Sequence, residues 1–65
     1  MRRRREYLIE MIQRGEYVKV SAIDPITNTE VSIVGDAKAT ERQLKRVAVR
    51  KLEYVLNKNA KGQTG

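Results

Sequence analysis

Apolar and polar residues alternate with period two over 17–34, and this is the clearest structural signal in the chain. In YVKVSAID, Val18, Val20 and Ala22 alternate with Tyr17, Lys19, Ser21 and Ile23. In TEVSIVG, Val31 and Ile33 alternate with Glu30, Ser32 and Val34. β-Branched residues dominate both runs, as they do in half-buried strands. Between the runs lies Asp24-Pro25-Ile26-Thr27-Asn28-Thr29. Pro25 pre-sets φ for the first loop position, Asp24 can accept from amides ahead of it, and Asn28 tolerates a left-handed backbone. A four-residue loop, Pro25 to Asn28, closed by an Asp24–Thr29 pair is therefore expected. That register sets Ala22 opposite Val31 and Val20 opposite Ile33, so both apolar sets share a face. A slip of one residue would expose one of the sets.

Residues 7–13, YLIEMIQ, fit two readings. As a helix, Leu8, Ile9 and Ile12 make a stripe, and the fold is αββα. As a strand, Tyr7, Ile9 and Met11 alternate with Leu8, Glu10 and Ile12. A tight connection at Arg14-Gly15 then puts Met11 opposite Val18, Ile9 opposite Val20 and Tyr7 opposite Ala22. Glu10 falls opposite Lys19, a favourable cross-strand pair. The strand is the preferred reading.

After Gly35 the period changes. Thr40 is positioned as an N-cap with Gln43 completing a capping box, and Ala39 with Leu44 can form a weak staple. Glu41 suits the positive end of the helix dipole. Leu44, Val47, Ala48, Leu52, Val55 and Leu56 then form a stripe interrupted only by Lys51. Arg42, Arg46, Arg50, Glu53 and Asn57 fall on the opposite face. A helix over 40–57 is roughly 26 Å long, close to the roughly 24 Å of a seven-residue strand. It can therefore cover the Val18/Val20/Ala22/Val31/Ile33 face. The expected fold is α+β, a three-stranded antiparallel meander with one C-terminal helix on one face (βββα). One domain should occupy 6–57, between a basic disordered arm (1–5) and a disordered polar tail (58–65).

Composition narrows the chemistry. A chain of 65 residues buries only about 60% of the surface its unfolded form exposes. Cys and His are both absent. That excludes disulfides, ordinary zinc sites, thiol nucleophiles and imidazole acid–base catalysis. The acids lack the spacing of an oxygen-donor metal site. Ser21 and Ser32 should be neighbours, but nothing in the sequence activates either. GDAKAT after the third strand lacks the pattern of a phosphate loop. No catalytic residue, cofactor or small-molecule substrate is therefore expected. No apolar run has the length of a membrane span, and the N-terminal arginines are not followed by a signal peptide's hydrophobic stretch. The expected location is the cytoplasm.

The net charge of +6 is unevenly distributed. Arg2, Arg3, Arg4 and Arg5 open the chain, the middle is acidic, and the C-terminal segment is again basic. Lys38, Arg42, Lys45, Arg46 and Arg50, with the four N-terminal arginines, are candidates for contacting nucleic-acid phosphates by charge. The plainer reading is a solvated helix face whose arginines balance the acidic sheet region.

The runs YVKVSAIDP, T-x-T-E-V-S-I-V-G and L-K-R-x-A-x-R-K-L-E-Y-V-L resemble a small alphaproteobacterial protein family without an established activity. The resemblance spans residues 6–56 and implies the same fold in a bacterial cytosol. Some relatives carry the label of a pyridoxal-phosphate enzyme, but a chain this short cannot build such a site. The resemblance supplies no mechanism.

A single helix shields one side of such a sheet. Leu8, Ile12, Tyr17, Ile23 and Val34 are then left on the other, among Glu10, Lys19, Ser21, Glu30 and Ser32. Large exposed apolar patches usually mark interfaces. The leading expectation is a non-enzymatic module that binds itself or another protein there, with Lys19 and Glu30 at the rim.

Overall fold

The computed structural model describes residues 6–62, with side chains through residue 59. Three strands, β1 (Leu8–Arg14), β2 (Tyr17–Asp24) and β3 (Thr29–Asp36), precede one helix, α1 (Glu41–Gly62). The strands form one antiparallel sheet in the order β1-β2-β3. The βββα architecture is the one that the periodicities predict, and residues 8–14 are extended.

The β2–β3 register follows the apolar pairing: Val20 faces Ile33, Ala22 faces Val31, and Asp24 faces Thr29. Its loop closes through local bonds. The Asn28 amide donates to the Asp24 carbonyl at 2.7 Å, with Asn28 left-handed at φ 63°. Fully buried Asp24 accepts from the Ile26 amide at 3.1 Å and from the Thr27 hydroxyl at 3.0 Å. Thr27 has thereby used its one hydrogen, so the Thr29 hydroxyl 2.8 Å away donates to it.

The β1–β2 register lies two residues from the expected one. Arg14 pairs with Tyr17, leaving Gly15-Glu16 as the loop. Met11 therefore faces Val20, Ile9 faces Ala22, and Glu10 faces Ser21 instead of Lys19. The reason is backbone geometry. Gly15 takes φ 60°, and Glu16 does not have a positive φ. That combination matches a type II′ hairpin turn, with glycine at its first central position. Placing Arg14 there would strain an L-residue. A shift of two keeps every side chain on its own face, so the hydrophobic pattern alone does not distinguish the registers.

The capping box forms as read. The Gln43 amide donates to Thr40 Oγ1 at 3.1 Å, and the Thr40 amide donates to Gln43 Oε1 at 3.4 Å. The helix packs mainly on β2 and β3. Its Leu44, Ala48 and Leu52 join Val18, Val20, Ala22 and Val31 in the core, with Val55 and Leu56 half-buried beside them. Val47, expected in the buried stripe, is instead 50% exposed. It shares a flank with Lys51, whose Nζ donates to the Ser32 carbonyl at 3.0 Å, so this side of the helix overhangs the margin of β3.

The helix also runs through Gly62, taking in residues 58–62, which the sequence predicts as part of a disordered tail. Once nucleated, a helix extends with one hydrogen bond per residue and needs no apolar partner. The Lys58 ammonium lies 6.0 Å from the centre of the Tyr54 ring one turn earlier, a contact between this segment and the preceding turn of the helix. The expected arm, with Arg2, Arg3, Arg4 and Arg5, lies outside the described residues.

Candidate functional site

The alternation that buries one side of the sheet defines the other. With the helix on the Val20/Ala22/Val31 side, the opposite face carries four rows across the strands. They are Leu8–Ile23–Glu30, Glu10–Ser21–Ser32, Ile12–Lys19–Val34 and Arg14–Tyr17–Asp36. All six residues expected at the contact face are here. Leu8 is 57% exposed, Ile12 40%, Tyr17 64% and Val34 67%. Lys19 is exposed and Ile23 is half-buried.

The apolar residues do not form one patch. The Glu10–Ser21–Ser32 row crosses the middle of the face and separates two groups. The Ser21 and Ser32 hydroxyls lie 3.0 Å apart, and Ser21 is buried, so these two polar groups satisfy each other. Leu8 and Ile23 form a small patch at one end. At the other end stand Ile12, Val34 and Tyr17, with Lys19 between Ile12 and Val34. A lysine stem in that position covers apolar surface while its ammonium stays in water.

This second group encloses a recess of about 370 Å³ lined by Ile12, Arg14, Tyr17, Lys19 and Val34. Tyr17 and Val34 also border a depression of about 530 Å³ with Glu16, Gly35, Asp36 and Lys38. The recess thus has apolar walls with a few charged groups at its margin. Arg14 and Asp36 flank Tyr17 on neighbouring strands. Sequence reasoning missed both as members of this face. The expected register puts Arg14 in the turn, and the expected third strand stops short of Asp36.

The basic candidates sit elsewhere. Arg42, Lys45, Arg46 and Arg50 are exposed along α1, and Lys38 is exposed in the β3–α1 connection. Its amide donates to Asp36 Oδ1 at 2.8 Å, closing that turn. Thus the helix carries the described basic cluster, whereas the outer sheet face mixes apolar residues with both signs of charge. No helix among the described residues is long and apolar enough to cross a membrane.

The fold and the two-sided sheet define a small α+β domain, helix-covered on one side and, among the described residues, open on the other. The chain belongs to the family described as Domain of unknown function (DUF6898), whose profile matches residues 4–59. No curated protein and no solved structure matches it.

Proposed function

We propose that this protein is a non-enzymatic interaction module that binds a protein, a second copy of itself or another chain, through the outer face of its sheet. One observation carries the reading: Ile12, Tyr17 and Val34 stand exposed around one recess, on the side away from the helix. The driving force is burial of apolar area at about 25 cal/mol per Å². Lys19, Arg14 and Asp36 set the orientation by charge. Leu8, Ile23 and Glu30 form an outlying contact. A cytoplasmic setting and kinship with alphaproteobacterial proteins belong to the same proposal.

The test compares the intact protein with Tyr17→Glu, by sedimentation at several concentrations and by capture of partners from the native host. Tyr17 is a surface residue, so the substituted protein should keep its circular dichroism and lose association or capture. The reading is overturned when the intact protein stays monomeric and captures the same set of proteins as Tyr17→Glu.

A second reading rests on Arg42, Lys45, Arg46 and Arg50 standing exposed along one helix. Joined by Lys38 and the N-terminal arginines, they would hold a phosphate backbone through charge, making the protein a nucleic-acid-binding accessory. Such binding falls steeply with salt. Titration of generic RNA and DNA at low ionic strength separates the readings, because Tyr17→Glu spares phosphate binding while Arg46→Glu weakens it and lowers its salt dependence.

A further inference from the structure

The two edges of the sheet are not equivalent. The two-residue β1–β2 turn makes Arg14–Tyr17 a hydrogen-bonded pair, and the antiparallel ladder then alternates. Leu8, Glu10, Ile12 and Arg14 therefore turn their backbone groups inward to β2. Ile9, Met11 and Gln13 turn theirs outward. On the far side, the same alternation sends the Ser32 backbone outward from β3. Lys51 meets it there, bonding the Ser32 carbonyl at 3.0 Å. A lysine on an edge is a common guard against strand addition. β1 has neither a proline nor a bulge, and its register runs unbroken from Leu8 to Arg14. The helix packs mainly on β2 and β3, so Ile9 and Met11 on the inner face of β1 are only half-buried.

We propose that the β1 edge pairs antiparallel with the β1 edge of a second copy, joining two sheets into one six-stranded sheet about a two-fold axis. Charge fixes the partner and the register. A two-fold through Ile12 sets it against the partner's Ile12, with Glu10 facing the partner's Arg14 on either side. The outward-turned Met11 and Gln13 then face the partner's Gln13 and Met11, exchanging both backbone hydrogen bonds at each pair. Moving the axis to Glu10 sets two carboxylates face to face. Moving it to Met11 sets Glu10 against an isoleucine and Leu8 against an arginine. Within its own protomer Glu10 stands beside Ser21 and Arg14 beside Tyr17, so neither faces an opposite charge across its own ladder. Self-complementarity of this kind is what a closed isologous dimer requires. The pairing also brings both Ile12-centred recesses together on one broad face. It stands independently of what that face binds.

The chain's lack of cysteine makes the test direct. In the proposed register, Ile12 and its mate form a non-hydrogen-bonded pair with Cα atoms about 4.5 Å apart. That spacing is within disulfide reach. Ile12→Cys should form a disulfide dimer under mild oxidation, whereas Val34→Cys on the opposite edge should not. Glu10→Arg should raise the dissociation constant measured by sedimentation by about ten-fold or more. Adding Arg14→Glu should restore it, because the reversed pairs are again complementary. All four positions are exposed, and circular dichroism checks each fold. A wild type monomeric at every concentration overturns the pairing. So does cross-linking through Cys at 34 and not at 12, or a double variant no tighter than Glu10→Arg. Dimerisation that survives Tyr17→Glu with loss of partner capture would support both the edge pairing and the separate outer-face reading.

Discussion

Gly35 and Leu44 form one packing unit, and their coupling can be measured. Gly35 lies on the inner face of β3 opposite Val18, and the Leu44 side chain rests directly over its Cα. A methyl group at position 35 would overlap Leu44 Cδ2. Leu44 is only 6% exposed and cannot swing freely into water. Gly35→Ala therefore overpacks the core at about 1–3 kcal/mol. Alanine's smaller entropy loss on folding offsets about 0.5–1 kcal/mol of this. The net expectation is a loss of about 1–2 kcal/mol, or a fall of about 4–16 °C in Tm for a domain of this size. Leu44→Ala alone removes a buried leucine and should cost about 2–5 kcal/mol. In the double variant the new methyl enters space that Leu44 has vacated. The combined cost should then fall short of the sum of the single costs by about 1–2 kcal/mol. Urea unfolding followed by far-ultraviolet circular dichroism measures each corner of the cycle. A domain of this length has only about 3–10 kcal/mol in total, so the series should be run with a stabilising osmolyte throughout. Additivity within about 0.5 kcal/mol, or a stabilising Gly35→Ala, would refute the packing argument.

Three further outcomes follow from local geometry. Asp24→Ala leaves the Ile26 amide and the Thr27 hydroxyl without their acceptor, and should cost about 2–4 kcal/mol in urea unfolding. Thr40→Ala removes the acceptor for the Gln43 amide and should cost about 1 kcal/mol. Thr40→Ser should retain most of that stability, and a wild-type-like alanine variant would mean that the capping box contributes nothing. A Cβ at Gly15 meets nothing within 4 Å, so Gly15→Ala should cost only the backbone penalty of a positive φ, about 1–2 kcal/mol. Gly15→Asn should cost less, and equal losses for alanine and asparagine would argue against a left-handed turn residue.

Local pattern determined much of this molecule. Alternation of β-branched residues specified β2 and β3, and their shared apolar face together with a loop closed by Asp24 and Thr29 set the register. Asp24, Pro25 and Asn28 specified the loop, and Thr40 with Gln43 marked where the helix begins. Each of these signals acts over a few residues, so it survives without tertiary context. The membership of the outer face, Leu8, Ile12, Tyr17, Lys19, Ile23 and Val34, was legible for the same reason: period two assigns a face to every strand residue.

The tertiary structure decided what periodicity leaves degenerate. A two-residue shift of β1 changes no side chain's face, so only the left-handed Gly15 turn could choose the register. That choice brought Arg14 beside Tyr17 and set the Glu10–Ser21–Ser32 row across the face, dividing its apolar residues into two groups. Val47 has helical spacing but too little sheet beneath it, because the helix lies across β2 and β3 with one flank overhanging the β3 margin. Lys51 breaks the apolar stripe in the sequence, and only the folded chain reveals its target, the outward carbonyl of Ser32. One-dimensional pattern says which way a residue faces. What it faces depends on how far each element slides and tilts against its neighbours, and close packing settles that.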